Sequence, residues 1–119
     1  MMLALEIFRA LADATRLRIM ALLQSMELSV GELAQVLGQS QPRVSRHVKI
    51  LCDAGLAERR KEGSWVFLEL GDPALVAPVL AAFDAWAGQE SDHWAVADAA
   101  RLAAVRADRA AAANAWFEA

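Results

Sequence analysis

The residues most suited to chemistry lie in one short stretch, GQSQPRVSRHVKIL, at positions 38–51. It gathers two arginines, a lysine and a histidine, although the whole chain has a formal charge of −3. Residues 41–63 contain six basic and three acidic side chains, so this segment is positive and the remainder is acidic. A basic segment in an acidic chain predicts a local anion-binding surface.

The same stretch predicts a helix with one buried and one basic side. Ser40 is expected to cap it, and Pro42 is tolerated in the first turn, where a missing N–H costs nothing. At about 100° per residue, Val44, Val48 and Leu51 form one buried seam. The other side exposes groups that suit base edges or phosphates in a DNA major groove. These candidate DNA-binding residues are Ser40, Gln41, Arg43, Ser45, Arg46 and Lys49.

His47 falls about 60° from that seam, at the edge of the basic side. We expect a partly buried histidine that hydrogen-bonds the backbone or a phosphate. A metal ligand is disfavoured, because the chain has only two histidines and one cysteine and no thiolate-rich set. The pair Asp92-His93 is a weak exception. No catalytic acid, base and nucleophile set is present, so the sequence does not suggest an enzyme.

Three shorter helices are expected before the basic helix. The first spans 3–11, and the second spans 15–24, with Asp13 as its cap and Leu17, Met20, Ala21 and Leu23 facing inward. Ser29 and Glu32 form a capping box for a helix at Val30–Leu37, which Gly38 ends. Two short helices joined by a tight turn, the second with a basic face, are typical of a helix-turn-helix.

A β-hairpin should follow the basic helix. Residues 56–61 and Trp65–Leu70 are extended runs separated by Glu62, Gly63 and Ser64. The hairpin would bring Arg59, Arg60 and Lys61 toward flanking phosphates or the minor groove.

The C-terminal part predicts two more helices. One spans Pro73–Trp86 and ends at Gly88, and the other spans 91–119, with Ser91 and Asp92 as cap candidates. Cys52 is expected to be a small packed thiol, with redox sensing as the alternative. The four tryptophans, Trp65, Trp86, Trp94 and Trp116, favour core and interface packing, or else an aromatic-walled pocket for a planar effector.

Two further features argue against a membrane or secreted protein. The longest uncharged apolar run, 73–83, is far shorter than the roughly 20 residues of a membrane span. The N-terminus MMLALEIFR lacks the basic start and longer apolar core of a signal peptide. We therefore expect a cytoplasmic protein with no membrane partner.

These motifs resemble the ArsR-type winged helix-turn-helix repressors. LADATRLRIMALL at 11–23 is similar to the family's second-helix signature, and 29–70 resembles its helix-turn-helix and wing almost position for position. The resemblance implies a mainly α fold with a small β-hairpin and a homodimer that binds an inverted repeat in double-stranded DNA. It also implies repression that lasts until an effector weakens binding. By the family pattern, His47 joins the DNA-binding residues of the recognition helix, and Arg59, Arg60 and Lys61 lie in the wing.

The resemblance also gives the domain organisation. Residues 1–119 form one domain, with the helix-turn-helix at 29–54, the wing at 56–70 and dimerisation helices at 1–12 and 91–119. The expected dimer-interface residues are Leu3, Leu5, Phe8, Trp94, Leu102, Val105 and Trp116.

The differences from the family pattern reduce the number of candidate effectors. The stretch MELSVGEL lacks the cysteine motif of metal-sensing members, and one cysteine cannot make a two-cysteine switch. Metal, arsenite and disulfide sensing are therefore disfavoured, and no cofactor is expected. The tail ARLAAVRADRAAAANAWFEA resembles the connecting helix before S-adenosylmethionine-dependent methyltransferases. That suggests an S-adenosyl metabolite as effector, or alternatively an interaction module that serves a methyltransferase partner.

Overall fold

The chain folds into six helices and a small antiparallel sheet over the part described by the computed structural model, residues 1–87 and 93–118. In chain order the elements are α1 (Met2–Leu11), α2 (Ala14–Ser25), β1 (Leu28–Ser29), α3 (Val30–Leu37), α4 (Gln41–Asp53), β2 (Ala57–Glu62), β3 (Trp65–Leu70), α5 (Pro73–Trp86) and α6 (His93–Glu118). The predicted helix end at Gly88, the caps Ser91 and Asp92 and the Asp92-His93 pair lie outside the described side chains.

The helix-turn-helix forms where the capping residues predict it. The Ser29 side chain accepts from the N–H of Glu32, and the Glu32 carboxylate accepts from the N–H of Ser29, which completes the capping box. Gly38 ends α3 in the left-handed region at φ 65°, a conformation that glycine adopts without steric cost. Ser40 then caps α4 with Pro42 in the first turn. The predicted seam of Val44, Val48 and Leu51 is fully buried.

The wing is a hairpin with a shorter loop than the sequence suggests. Glu62 pairs with Trp65, so the loop is Gly63-Ser64 rather than three residues. Gly63 has φ 60°, and a positive φ at the first of two loop residues matches the twist of the flanking strands. The sequence missed β1, a two-residue strand that pairs with β3 and gives the order β1-β3-β2.

Packing corrects two expectations about apolar residues. In α2, Met20 and Leu23 are buried as expected, but Ile19 and Leu22 join them, while Leu17 is 40% exposed and Ala21 is exposed. The apolar residues of α2 surround most of the helix, so their spacing alone did not select the inward face. All four tryptophans are 45–76% exposed, so none belongs to the core.

The last helix lies against the helix-turn-helix of its own chain. Leu102 and Val105 are 5% and 1% exposed and belong to the main core. Their expected place in a dimer interface is therefore wrong, because the intrachain packing of α6 against α3 and α2 already covers them. No helix in the described ranges is long and apolar enough to cross a membrane.

Candidate nucleic-acid interface

The exposed side of α4 presents a row of polar and cationic groups. Arg43, Ser45, Arg46 and Lys49 are all exposed, on the side away from the buried seam. Lys49 donates to Asp53 one turn later at 2.8 Å, a pair in which both side chains are more than 60% exposed. Such a surface pair contributes at most about 1 kcal/mol, so Lys49 can exchange Asp53 for a phosphate at little cost.

The first turn of α4 is fixed by its own caps. The Ser40 hydroxyl accepts from the N–H of Arg43 at 3.4 Å, which leaves its hydrogen available to an acceptor outside the helix. Gln41 is exposed at the start of α4, with its amide close to Gly31 at the start of α3. Both side chains therefore lie where the turn between α3 and α4 meets solvent.

The two faces of the wing differ in what their cations contact. Alternation along β2 places Arg59 and Lys61 on one face and Arg60 on the other. Arg59 and Lys61 are exposed. Arg60 forms ion pairs with Glu27 and Glu62, and its guanidinium lies 5.3 Å from the centre of the Phe67 ring.

Arg60 is therefore a poor candidate for contact with DNA. The hydrogen bonds that Arg60 donates to Glu27 and then to Glu62 raise the pKa of its guanidinium, and the bond from Arg60 lowers the pKa of Glu27. Hydrogen-bonded carboxylates already compensate its charge, so a phosphate would have to displace them. Arg60 pairs with Phe67 within the hairpin, and its side chain lies on the face of the wing opposite to that of Arg59 and Lys61.

His47 lies at the inner edge of the basic side, with its side chain 17% exposed. Its Nδ1 is 3.2 Å from Nη1 of Arg16 and 3.9 Å from Oδ1 of Asp13. The expectation of partial burial is correct, but its partner in this chain is an arginine side chain rather than the backbone. A cleft of about 460 Å³ opens here, and it is lined by Asp13, Thr15, Gln39, Arg43, Arg46, His47 and Ile50.

Comparison with known proteins identifies this arrangement. Residues 13–59 match the profile of the family described as bacterial regulatory protein, arsR family. The arsenical resistance operon repressor of Escherichia coli (strain K12) is 43% identical over 82 residues, which cover 66% of this chain and 70% of that protein.

The chain belongs to the ArsR family.

Solved structures agree with the fold. HlyU from Vibrio cholerae N16961 superposes with a TM-score of 0.65 at 34% identity, over 71% of this chain and 92% of that one. The homodimeric winged helix-turn-helix DNA-binding domain Mb0332 from Mycobacterium bovis gives a TM-score of 0.63 at 26% identity, over 76% and 87% of the two chains. The ArsR protein described here is thus a DNA-binding transcriptional regulator with a winged helix-turn-helix, and the family is one of regulators rather than enzymes.

This ArsR-family chain has a single, half-buried thiol. Cys52 packs against the core, as expected, and burial raises its pKa. The thiolate is the form that binds metals and arsenic, so a thiol with a raised pKa is a weak ligand near neutral pH. Within the described ranges, the structure has no group of three or more His, Cys, Asp or Glu side chains placed to hold a metal ion.

Several contacts between the elements around the helix-turn-helix were not predicted from the sequence. Arg16 contacts His47 across 31 positions, and Gln39 donates to Thr15 Oγ1 at 2.9 Å across 24. Arg109 of α6 donates to Glu32 of α3 at 2.7 Å. Arg16 stands in the family-like stretch DATR, but no local pattern indicates that its partner lies in α4.

Proposed function

We propose that this protein is a homodimeric repressor that reads an inverted DNA repeat with α4 and leaves its operator when an effector binds. The observation that carries the DNA-reading part is the two-sided form of α4. Its apolar seam is fixed in the core, while Arg43 and Arg46 are exposed on the solvent side. A helix held in this way can enter a major groove without disturbing the fold.

The DNA-contacting set follows from this geometry. Arg43 and Arg46 suit guanine edges or phosphates, Gln41 suits adenine, and Ser40, Ser45 and Lys49 suit the backbone. His47 borders the same surface, and Arg59 and Lys61 extend it along the wing. Arg60 is left out because of its ion pairs with Glu27 and Glu62.

A titration of duplexes selected from random DNA tests the DNA-reading part. Wild-type protein should bind a palindromic consensus with a Kd on the order of 10⁻⁸ M at physiological salt. The double variant Arg43→Ala/Arg46→Ala should bind at least about tenfold more weakly, because each bidentate arginine–base pair contributes about 1–3 kcal/mol. Its affinity should also fall less steeply with salt if the arginines contact phosphates.

The matched control is Arg106→Ala, which removes a positive charge from an exposed position of α6. It should bind the consensus as the wild type does. Recovery of no consensus, or equal binding by the wild type and the double variant, would overturn the proposal.

Two observations support the homodimer: the Mycobacterium bovis domain is homodimeric, and apolar side chains are exposed on α1 and α6 of this chain. Leu3, Leu5 and Phe8 on α1 are 42–67% exposed, and Trp116 near the end of α6 is 76% exposed. Trp94 is 45% exposed and remains in the proposed interface, whereas Leu102 and Val105 do not. Two-fold symmetry would then place the two copies of α4 about 34–36 Å apart, in successive major grooves.

The effector is proposed from chemistry that the chain can support. The names of the relatives raise arsenicals and mercury as candidates, including a probable mercury resistance operon repressor from Streptomyces lividans. A lone thiol with a raised pKa argues against both for this chain. An S-adenosyl metabolite remains our candidate, on the resemblance of the α6 sequence to the linker helix of methyltransferase fusions.

Thermal unfolding with each ligand separates these effectors. A ligand at 100 times its Kd should stabilise the fold by about 2.7 kcal/mol if it binds only the folded state. We expect a shift with S-adenosylhomocysteine or S-adenosylmethionine and none with arsenite. A shift with arsenite that Cys52→Ser abolishes would reverse that assignment.

A second candidate function is an interaction module for a methyltransferase partner. It is favoured by one observation, the exposed Trp116 and Phe117 in the last turns of α6, whose rings lie 5.0 Å apart. In that case the protein would still dimerise, but it would bind DNA without sequence preference. Selection from random DNA distinguishes the two functions, since only a repressor yields a consensus.

A further inference from the structure

A single guanidinium joins α1 to the recognition helix. Arg16 Nε donates to the carbonyl of Ala10 at 2.5 Å, and Nη2 donates to the carbonyl of Arg9 at 3.3 Å. Both carbonyls lie in the last turn of α1, where a helix leaves its carbonyls without helical donors. The third nitrogen, Nη1, lies 3.2 Å from Nδ1 of His47 on α4. Arg16 therefore holds the end of α1 and the inner edge of α4 at the same time.

This contact fixes which nitrogen of His47 carries the proton. Guanidinium has five donors and no acceptor, so Nδ1 of His47 must accept, and the proton of the neutral ring must be on Nε2. A second proton on Nδ1 would remove the only lone pair that Arg16 can use. The Arg16–His47 hydrogen bond thus exists only while His47 is neutral.

Asp13 does not replace that hydrogen bond. Its Oδ1 is 3.9 Å from His47 Nδ1, beyond hydrogen-bond range, and it already accepts from the N–H groups of Thr15 at 2.8 Å and Arg16 at 3.1 Å. Asp13 can only attract a charged His47 through space. The other charged groups of the cleft, Arg43 and Arg46, are cations of α4 itself.

We propose that Arg16 is a positioning residue that holds neutral His47 and ties α4 to α1, so that protonation of His47 loosens the recognition helix and reduces discrimination between DNA sequences. The inference rests on the proposed function, because it gives Arg16 and His47 roles in reading DNA. The inference adds pH as a signal. The proton would bind His47, where Arg16 connects α1, the proposed dimer helix, to α4, the proposed DNA-reading helix.

The expected effect on DNA has two parts of opposite sign. Histidine changes its charge between about pH 5 and pH 8, and a charged His47 adds a cation beside Arg43 and Arg46. That charge strengthens binding to any DNA, since attraction to phosphates carries no sequence information. Loss of the Arg16 contact weakens base contacts, which need a fixed geometry. The ratio of specific to non-specific affinity should therefore fall as the pH falls.

The DNA experiment compares the selected duplex with a scrambled one at about pH 8 and about pH 5.5. His93→Gln serves as the parent, so that His47 is the only histidine of the chain. In the parent, the affinity ratio should be about five to ten times lower at the acidic pH, as expected for one lost hydrogen bond. Arg16→Lys keeps the charge but cannot make all three hydrogen bonds of the guanidinium. Its ratio of specific to non-specific affinity should therefore already be lower at pH 8 and change little with pH.

Two variants complete the comparison. Arg106→Lys, the same substitution at an exposed position of α6, should follow the parent at both pH values. His47→Gln cannot titrate, so its affinity ratio should not depend on pH. A parent ratio that is constant with pH, or an Arg16→Lys profile equal to that of the parent, would overturn the inference.

A second measurement does not depend on DNA. Nitrogen-15 spectra of the imidazole in the folded parent at pH 8 should show the proton on Nε2, and Arg16→Lys should show a mixture of the two tautomers. A proton found mainly on Nδ1 in the parent would contradict the Arg16–His47 contact whether or not the protein discriminates between DNA sequences. Failure to discriminate any duplex at pH 8, with the Nε2–H form present, would instead overturn the proposed function and the DNA role of Arg16 together.

Discussion

At the scale of single residues, the buried pair Arg18–Asp98 shows how α6 is attached. Two guanidinium nitrogens of Arg18 donate to the two oxygens of Asp98, at 2.9 and 2.7 Å. Both side chains are only 9% exposed, and the guanidinium lies 4.4 Å from the centre of the Trp94 ring. Arg18 is a charged residue in the buried face of α2, and it is tolerated there because a carboxylate 80 positions away matches both of its donors.

Removing one partner of this pair should destabilise the protein strongly. Asp98→Ala leaves Arg18 buried without its carboxylate, and breaking such a pair from one side costs about 3–5 kcal/mol. The free energy of unfolding in urea measures the loss. As a control, Lys49→Met breaks the exposed Lys49–Asp53 pair and should change stability by less than about 1 kcal/mol. Similar losses for the two variants would show that the Arg18–Asp98 pair is not buried in solution.

At the scale of elements, α6 is held to the helix-turn-helix by a series of polar contacts. Arg101 donates to the carbonyl of Val36 at 3.1 Å, and Arg109 donates to Glu32 at 2.7 Å and to the carbonyl of Glu27 at 3.0 Å. The Arg109 guanidinium also lies 5.4 Å from the Phe67 ring, on which Arg60 is placed at 5.3 Å. One aromatic ring of the wing thus contacts a cation of its own hairpin and a cation of α6. A displacement of α6 would therefore change the contact of Arg109 with Phe67 in the wing.

The Glu32–Arg109 contact predicts a stability that depends on pH. The hydrogen bond from Arg109 lowers the pKa of Glu32 in the folded state, although burial acts in the opposite direction. The contact contributes its full stabilisation to the folded state above the ordinary glutamate pKa. That contribution is lost as the pH falls toward the lower pKa that Glu32 has in the folded state, because the unfolded chain takes up the proton first. Between about pH 5.5 and pH 3, the wild type should therefore lose more stability than Arg109→Met.

The measurement is urea unfolding at a series of acidic pH values. Arg106→Met removes an exposed arginine of the same helix and should keep the slope of the wild type. Parallel pH curves for the wild type and Arg109→Met would show that this carboxylate does not contribute to the acid sensitivity of the fold.

At the scale of the whole molecule, large apolar side chains are exposed on α1 and in the last turns of α6. Met2, Leu3 and Phe8 of α1 are 70%, 55% and 67% exposed, and Trp116 and Phe117 of α6 are 76% and 80% exposed. Large apolar side chains grouped on a surface mark interaction sites more often than single ones do. The apolar side chains exposed on α1 lie on a different helix from the exposed cations of α4.

A single charge on α1 should therefore disrupt the proposed dimer. Phe8→Glu places a carboxylate where an apolar interface would desolvate it, so sedimentation equilibrium should show a shift from dimer to monomer. Trp65→Glu alters an aromatic residue of nearly equal exposure, 65% against 67%, but at the tip of the wing, and it should leave the dimer intact. Dissociation by both variants, or by neither, would contradict an interface at α1.

The local elements were largely predictable because their causes are local. The Ser29–Glu32 capping box, the end of α3 at Gly38, the Ser40 cap and the seam of Val44, Val48 and Leu51 all involve residues within a few positions of one another. The sequence also indicated the basic side of α4, which follows from the helical repeat alone. The loop of the wing was one residue too long, because a two-residue loop and a three-residue loop share the same glycine signal.

The sequence by itself thus determined a helix-turn-helix with an outward basic helix and a wing. Only the tertiary structure decided which polar side chains already have partners within the chain. Arg60 pairs with Glu27 and Glu62, His47 contacts Arg16, and Arg18 pairs with Asp98. The tertiary structure also moved Leu102 and Val105 from the expected dimer interface into the core. The physical reason is distance along the chain. Periodicity and capping act over a few residues, whereas Arg16, Glu27 and Asp98 lie 31, 33 and 80 positions from the side chains that they contact, and no local pattern indicates those pairs.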